Sequence, residues 1–273
     1  MTNQSSAVAK FRQLHESGCF ILPNPWDRGT ARYLARLGFK ALATTSAGFA
    51  FSRGLPDSVT AVPVEDVLDH VRDISESTSL PVNADFQNGY ADEPEHVAEN
   101  VTRCIECGVA GLSIEDSTGK SEPPLYDVHL AVERVKAARQ AIDNSNTQVV
   151  LTARCEAWLV GHPSAKSVAI DRLVAFAEAG ADCLYAPGVR NLEDIEAIVR
   201  AVAPKPVNVL VGSPGLTVSQ LADVGVRRVS VGSALSRVAW GAVMRAAREM
   251  AEKGTFESFG DAGAFADLNK IFG

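Results

Sequence analysis

The acids Asp85, Glu115 and Asp116 each close a short apolar run, the first in PVNADFQ and the other two in GLSIED. Carboxylates that end strands of one barrel converge on a single mouth and suit one hard divalent cation. Mg2+ is the natural candidate, because it takes one or two carboxylates and completes its octahedron with water and substrate oxygens. The bland alternative is a helix cap or loop ion pair, which Asp116 suits, but an acid closing an apolar strand is costly unless paired. Arg154, ending VVLTAR, offers a planar, permanently charged fork for a carboxylate or phosphonate, or else an ion pair with Glu115 or Glu156. Thr45-Ser46-Ala47-Gly48 follows another apolar run with small side chains and backbone N–H groups suited to an anionic oxygen.

Other residues carry weaker signals. Asp57 follows a Gly-Leu-Pro turn, where aspartate is commonest as a turn former. Lys120 lies in the polar segment STGKSEPPLYD, a candidate lid over the mouth, where a surface lysine is the bland reading. His162 sits in a GHP turn, and His15, His70, His96 and His129 fall in helical stretches as structural residues. VGSPG (211–215) and VGSALSR (231–237) read equally as a backbone phosphate cup or as simple turns. Cys104 and Cys107 form a lone CxxC inside a helical pattern without further ligands, which points to packing. Cys155 is turned by strand alternation away from the face that Arg154 uses.

A repeating unit must position these groups. LARLGFKALATTS, CIECGVAGLSIED, FAEAGADCLYAPG and LADVGVRRVSVGS each pass from a helical pattern through a glycine (Gly38, Gly108, Gly180, Gly225) to a short apolar strand. Four further strands read at 20–25, 81–87, 149–155 and 206–211, bounded by Pro, Gly or polar residues. Eight parallel strands with intervening helices predict an α/β fold, a (β/α)8 TIM-type barrel over 1–273 as a single domain, with 253–273 as a C-terminal tail on a neighbouring helix or subunit. A doubly wound sheet is the runner-up, weakened by the lack of a GxGxxG turn after the first strand. The chain has 273 residues and a net charge of −7 with no Lys/Arg run, which argues against a nucleic-acid or anionic-membrane partner and for a small molecule. No segment reads as a signal peptide or membrane span, and five cysteines, an odd number, suit reduced thiols, so a cytoplasmic protein is expected.

The segments LPNPWD, ATTSAGFAFSRGLPD, VNADFQNGYAD, LSIEDSTG, LTARCEAWLVG, GADCLYAPG and PVNVLVG stand in the order found in one family. On these motifs the chain resembles the isocitrate lyase/phosphoenolpyruvate mutase superfamily, over nearly its whole length. The resemblance implies a barrel that exchanges its last helix with a partner in a homodimer or homotetramer, with Mg2+ and a small 2-oxo acid or its enolate in the mouth. Carried across, Ser46, Ala47 and Gly48 hold the substrate carboxylate with Arg154; Thr45 and Asn208, polar residues at strand ends on the same rim, join the substrate-binding set. Asp85 binds the metal directly, Glu115 holds it through water, and Asp57 sits beside it; Arg154, Asp57 and Lys120 form the catalytic set.

Two departures stand out. The family pattern D-x-D-x-G-[YF] reads Asp85-Phe86-Gln87-Asn88-Gly89-Tyr90, so Gln87 replaces the second acid of the metal set. The lid lacks the K-[KR]-C-G-H motif whose Cys serves the carbon–carbon lyases, which argues against isocitrate or methylisocitrate cleavage by the usual route. The expected activity is Mg2+-dependent cleavage of a carbon–carbon bond in an oxaloacetate- or substituted-malate-like acid through a pyruvate-type enolate. Carbon–phosphorus chemistry (phosphoenolpyruvate mutase or phosphonopyruvate hydrolase) and non-catalytic 2-oxo-acid binding are the alternatives.

Overall fold

The computed structural model describes residues 3–273. Its eight strands are β1 (Phe20–Leu22), β2 (Leu42–Ala43), β3 (Val82–Asp85), β4 (Gly111–Glu115), β5 (Val150–Arg154), β6 (Cys183–Tyr185), β7 (Val207–Leu210) and β8 (Arg228–Ser230). All pair in parallel, in the order β1-β8-β7-β6-β5-β4-β3-β2. Across the remaining seam, Ala43 N–H donates to Pro23 O at 3.0 Å and Asn24 Nδ2 donates to Thr44 O at 2.8 Å. Those bonds draw β1 and β2 together and leave a nearly closed TIM-type barrel, as the strand count predicts.

Helices α1 (Asn3–Glu16), α2 (Arg28–Arg36), α3 (Ser46–Ser52), α4 (Val64–Glu76), α5 (Pro94–Ile105) and α6 (Val128–Asn144) serve the first half. Helices α7 (Ala165–Glu178), α8 (Leu192–Val202), α9 (Val218–Asp223), α10 (Ala234–Lys253) and α11 (Phe265–Phe272) serve the second. The four joint glycines all adopt positive φ, reaching 102° at Gly180, the left-handed turn that lets a helix stop and a strand begin at once. Helix α5 shows why the helices stay on the barrel: Val97, Val101, Cys104 and Ile105 form a buried stripe at helical spacing, so the CxxC cysteines are packing residues.

Helix α1 closes the barrel end opposite the mouth. Its Phe11 is fully buried, Gln4 donates to Ile105 O and Val109 O before β4, and Arg12 pairs with Asp182 before β6 at 3.2 Å. At the other terminus the 253–273 segment is folded, with a 3-10 turn at Glu257–Asp261 and α11 against α2 of the same chain, where Arg32 and Arg36 donate to the carbonyls of Phe272 and Lys270. Helix α10 leaves Val238, Trp240, Val243 and Met244 exposed and buries only Ser236. Among the described residues no helix is long and apolar enough to cross a membrane.

Candidate active site

Strand alternation builds the site. Asp85, Glu115 and Arg154 end β3, β4 and β5; Glu115 stands opposite Arg154, and Asp85 stands opposite Ser113, two residues short of Glu115. Asp85 and Arg154 face a cavity of about 180 Å³ at the carboxyl ends of the strands, which Ser46, Asp57 and Tyr185 also help to line, and Glu115 stands behind it on Arg154. Chemistry in this fold sits at that end.

Arg154 is the centre of the arrangement. Its Nη1 lies 2.6 Å from Asp85, its Nη2 3.1 Å from Glu115 and its Nε 3.0 Å from Glu156, while its guanidinium stands 5.1 Å from the Tyr185 ring. A guanidinium has five N–H donors, so two remain for an anion in the cavity. Ion pairing and substrate gripping are therefore compatible roles. Asp85 uses its other oxygen to accept from Ser46 N–H and Oγ, both at 2.9 Å, and its own N–H donates to Thr44 Oγ1 at 2.9 Å.

One arginine among so many acids sets the electrostatics. Burial pushes the Glu115 carboxyl well above the usual range, against the pull of Arg154. Burial likewise raises Glu156 to about 7, and Arg154 lowers it less than burial lifts it. Asp57 is raised first by burial and then by the neighbouring Asp85 charge. Burial alone would loosen the Arg154 proton, but Glu156, Glu115 and Asp85 more than reverse that. The wall carrying Asp57, Asp85 and Glu115 is thus short of positive charge.

That shortage and the donor chemistry fit Mg2+. The donors are hard oxygens, and Asp85, with about four lone-pair sites of which three are engaged, keeps one on Oδ1. Among the described residues no three acidic, histidine or cysteine side chains close into a cage by themselves. Mg2+ needs none, since water and substrate oxygens fill most of its octahedron. Gln87, in a left-handed conformation with φ 43°, donates from Nε2 to Asp57 Oδ1 at 3.3 Å and so reaches the same wall.

The remaining expected residues are spread more widely. Ser46 and Ala47 line the cavity, but the Thr45 hydroxyl caps α3 by accepting the Gly48 N–H at 3.2 Å, so that N–H is already engaged. Asn208 lies deeper, accepting from Arg228 Nε at 2.8 Å and donating to Ser230 Oγ at 2.9 Å. Lys120 is turned to Asp92, 3.6 Å away, in the 117–127 segment, which Thr118 Oγ1 ties to itself by donating to Pro123 O at 2.6 Å. In 231–237, Asn24 Oδ1 already accepts the N–H groups of Val231 and Gly232, both at 2.9 Å, so those two donors are engaged within the protein. Asp116 braces the wall, taking Arg172 at 3.0 Å and the Glu156 N–H at 2.8 Å. His162 Nδ1 accepts the Ser164 N–H within its turn.

Sequence reading undervalued Glu156, treated only as a bland partner of Arg154, although a spacing of two residues from Arg154 puts both on one face. It missed Arg228 altogether, since a charged residue opening a strand has no pattern that separates it from a surface arginine.

Residues 11–251 match the family model described as phosphoenolpyruvate phosphomutase. An uncharacterised protein of Mycobacterium tuberculosis is 34% identical over 89% of each chain. The 2-methylisocitrate lyase of Halalkalibacterium halodurans is 28% identical over 94% of this chain and 86% of its own. The oxaloacetate decarboxylase of Pseudomonas putida is 29% identical over 82% of this chain and 78% of its own. Among solved structures, a provisionally named lyase/mutase from Burkholderia cenocepacia superposes with a TM-score of 0.95 at 47% identity, covering 100% of this chain and 97% of the other. Oxaloacetate acetylhydrolase in complex with oxalate superposes with a TM-score of 0.86 at 28% identity, covering 98% and 94%.

Proposed function

Because the chain belongs to the phosphoenolpyruvate phosphomutase family, whose members here are lyases and mutases of small carboxylates, we propose that it is a Mg2+-dependent enzyme breaking a carbon–carbon bond in an oxaloacetate- or substituted-malate-like acid. The observation that carries this reading is Arg154, buried among three carboxylates, with two N–H donors unpaired and its side chain lining the cavity. Asp85 would hold the metal directly, Glu115 and Asp57 through water, with Gln87 hydrogen-bonding a metal-bound water. When bound, Mg2+ would supply Lewis-acid stabilisation of a developing enolate oxygen.

The chain's own residues do the rest. Arg154 grips the substrate carboxylate and, fixed by Asp85, Glu115 and Glu156, cannot swing aside as charge moves onto the carbonyl oxygen. Ser46 holds Asp85 in place while Ala47 faces the same anion from the start of α3. In decarboxylation of an oxaloacetate-like acid CO2 leaves and the bonding electrons stay in the pyruvate fragment as its enolate, which a solvent proton quenches at carbon. In retro-Claisen cleavage water adds to the carbonyl carbon, which leaves as part of oxalate, and the electrons and then the proton go to the departing acetate-like fragment. No covalent nucleophile is needed. That suits a lid, 117–127, without cysteine or histidine, and Lys120, paired with Asp92, is assigned no step. Decarboxylation or retro-Claisen-type cleavage fits better than the cysteine-dependent lyase route. Purified protein with Mg2+ should release a pyruvate-like or oxalate-like product from a panel of these acids; silence across the panel would sink the reading.

The family match also favours carbon–phosphorus chemistry as a second reading. Phosphorus NMR of protein mixed with phosphonopyruvate decides it, because an unchanged spectrum removes that class. The exposed apolar face of α10 supports a homodimer or homotetramer in which this helix packs on a partner barrel, testable by light scattering of wild type and Trp240→Glu.

A further inference from the structure

Beneath the mouth the barrel interior is polar where barrels are ordinarily filled by branched apolar side chains. Two residues below Asp85, Glu115 and Arg154 on the same strands stand Asn83, Ser113 and Thr152, and Arg228 reaches across from β8 to join them. Arg228 is 2% exposed and has no carboxylate partner among the described residues. Its Nε donates to Asn208 Oδ1 at 2.8 Å, its Nη2 to Thr152 Oγ1 at 3.0 Å, and its Nη1 meets His15 Nε2 at 3.3 Å. His15 is the neutral acceptor there: its Nδ1–H donates to Phe11 O at 2.7 Å, and burial followed by the Arg228 charge lowers it to about 3.

A fully buried cation held only by neutral groups is expensive. Three of its five N–H donors are used, and two are left over. Asn83, 4% exposed, has an Oδ1 without any hydrogen-bond partner. Both residues line the same cavity as Asp85 and Arg154. Two arginines therefore line one cavity, and Thr152, which Arg228 holds, lies about 7 Å from Arg154 along β5.

We propose that Arg228 and Asn83 form an inner subsite for the second carboxylate of a dicarboxylic substrate, whose first carboxylate lies on Arg154. The buried charge then gains its missing counter-ion only when a dianion enters, and Asn83 Oδ1 accepts from a ligand hydroxyl or a water brought in with it. Monocarboxylates such as pyruvate would reach Arg154 and leave Arg228 uncompensated, so the site would discriminate by charge count as well as by shape. This inference rests on the reading of the mouth as a carboxylate site, and it names the residues that would read the second carboxylate of such an acid.

Calorimetric titration with Mg2+ present, using the dicarboxylate 3,3-difluorooxaloacetate, chosen to avoid turnover, and pyruvate as probes, tests it. Arg228→Met should weaken difluorooxaloacetate binding about tenfold or more and pyruvate binding much less, with Arg228→Lys intermediate. Equal losses for both acids, or none, would overturn it. Should Arg228→Met fail to fold, wild-type crystals soaked in bromide keep the question open to an answer. An anomalous peak on Arg228 that a dicarboxylate displaces supports the subsite; no peak, or one that dicarboxylates leave untouched, refutes it. Neither measurement needs turnover, so a protein that binds dicarboxylates without cleaving them would refute the proposed activity and leave this subsite standing.

Discussion

Arg154 Nη1 and Asp85 Oδ1 lie 2.6 Å apart, while the second oxygen of Asp85 accepts from both the backbone N–H and the hydroxyl of Ser46. The residue expected to hold metal thus also fixes the residue expected to hold substrate. Asp85→Asn keeps the shape and removes the charge that both functions need. It should lower Mg2+ affinity and turnover together, turnover by about a hundredfold or more, with the wild-type fold retained by circular dichroism. Full activity in this variant would disconnect Asp85 from catalysis.

Gln87 is the residue at which the chain gives up a negative charge, and it donates to Asp57. Gln87→Asp should set two carboxylates side by side, lowering the melting temperature in chelator and enlarging the rise that Mg2+ produces. A tighter Mg2+ isotherm than wild type checks the same point. No change in Mg2+ affinity would place residue 87 outside the metal's reach.

The brace behind the site makes a stability prediction. Asp116 is buried between Arg172 and the Glu156 N–H, so Arg172→Met leaves a buried carboxylate unpaired. The expected loss is about 3 kcal/mol, read as a lower denaturant midpoint. Changing both residues, Asp116→Leu with Arg172→Met, should recover much of it.

His15 links stability to pH. It is held near 3 by burial and Arg228, below its ordinary 6.5, so below about pH 6.5 the unfolded chain binds a proton that the native one refuses. The contribution of neutral His15 is complete above that pH and is lost as pH falls through the window toward 3. His15→Phe, which cannot titrate, should be less stable than wild type near neutrality, and the gap should narrow on acidification. Melting temperatures of both proteins across that range decide it, and a constant gap would contradict the assignment.

The strand ends were legible because each follows a helix–glycine–strand joint whose local pattern survives in the sequence, and the acids and Arg154 stand at those ends. What was not legible lies across the barrel. The meeting of Arg228 with Thr152, 76 residues apart, depends on barrel closure, which no local spacing encodes. Asn24 shows the same limit, since its capping of Val231 and Gly232 joins the first strand's end to the last and engages two N–H groups that no local pattern marks as taken.

The central claim is that the mouth stabilises a pyruvate-type enolate. Proton NMR of pyruvate in D2O with the protein and Mg2+ reads enolate formation directly, as loss of the methyl signal by deuterium exchange. Exchange above the protein-free rate, abolished by chelator and by Arg154→Met, is the predicted result. An unaltered methyl signal, together with no product from oxaloacetate-type acids, would contradict it.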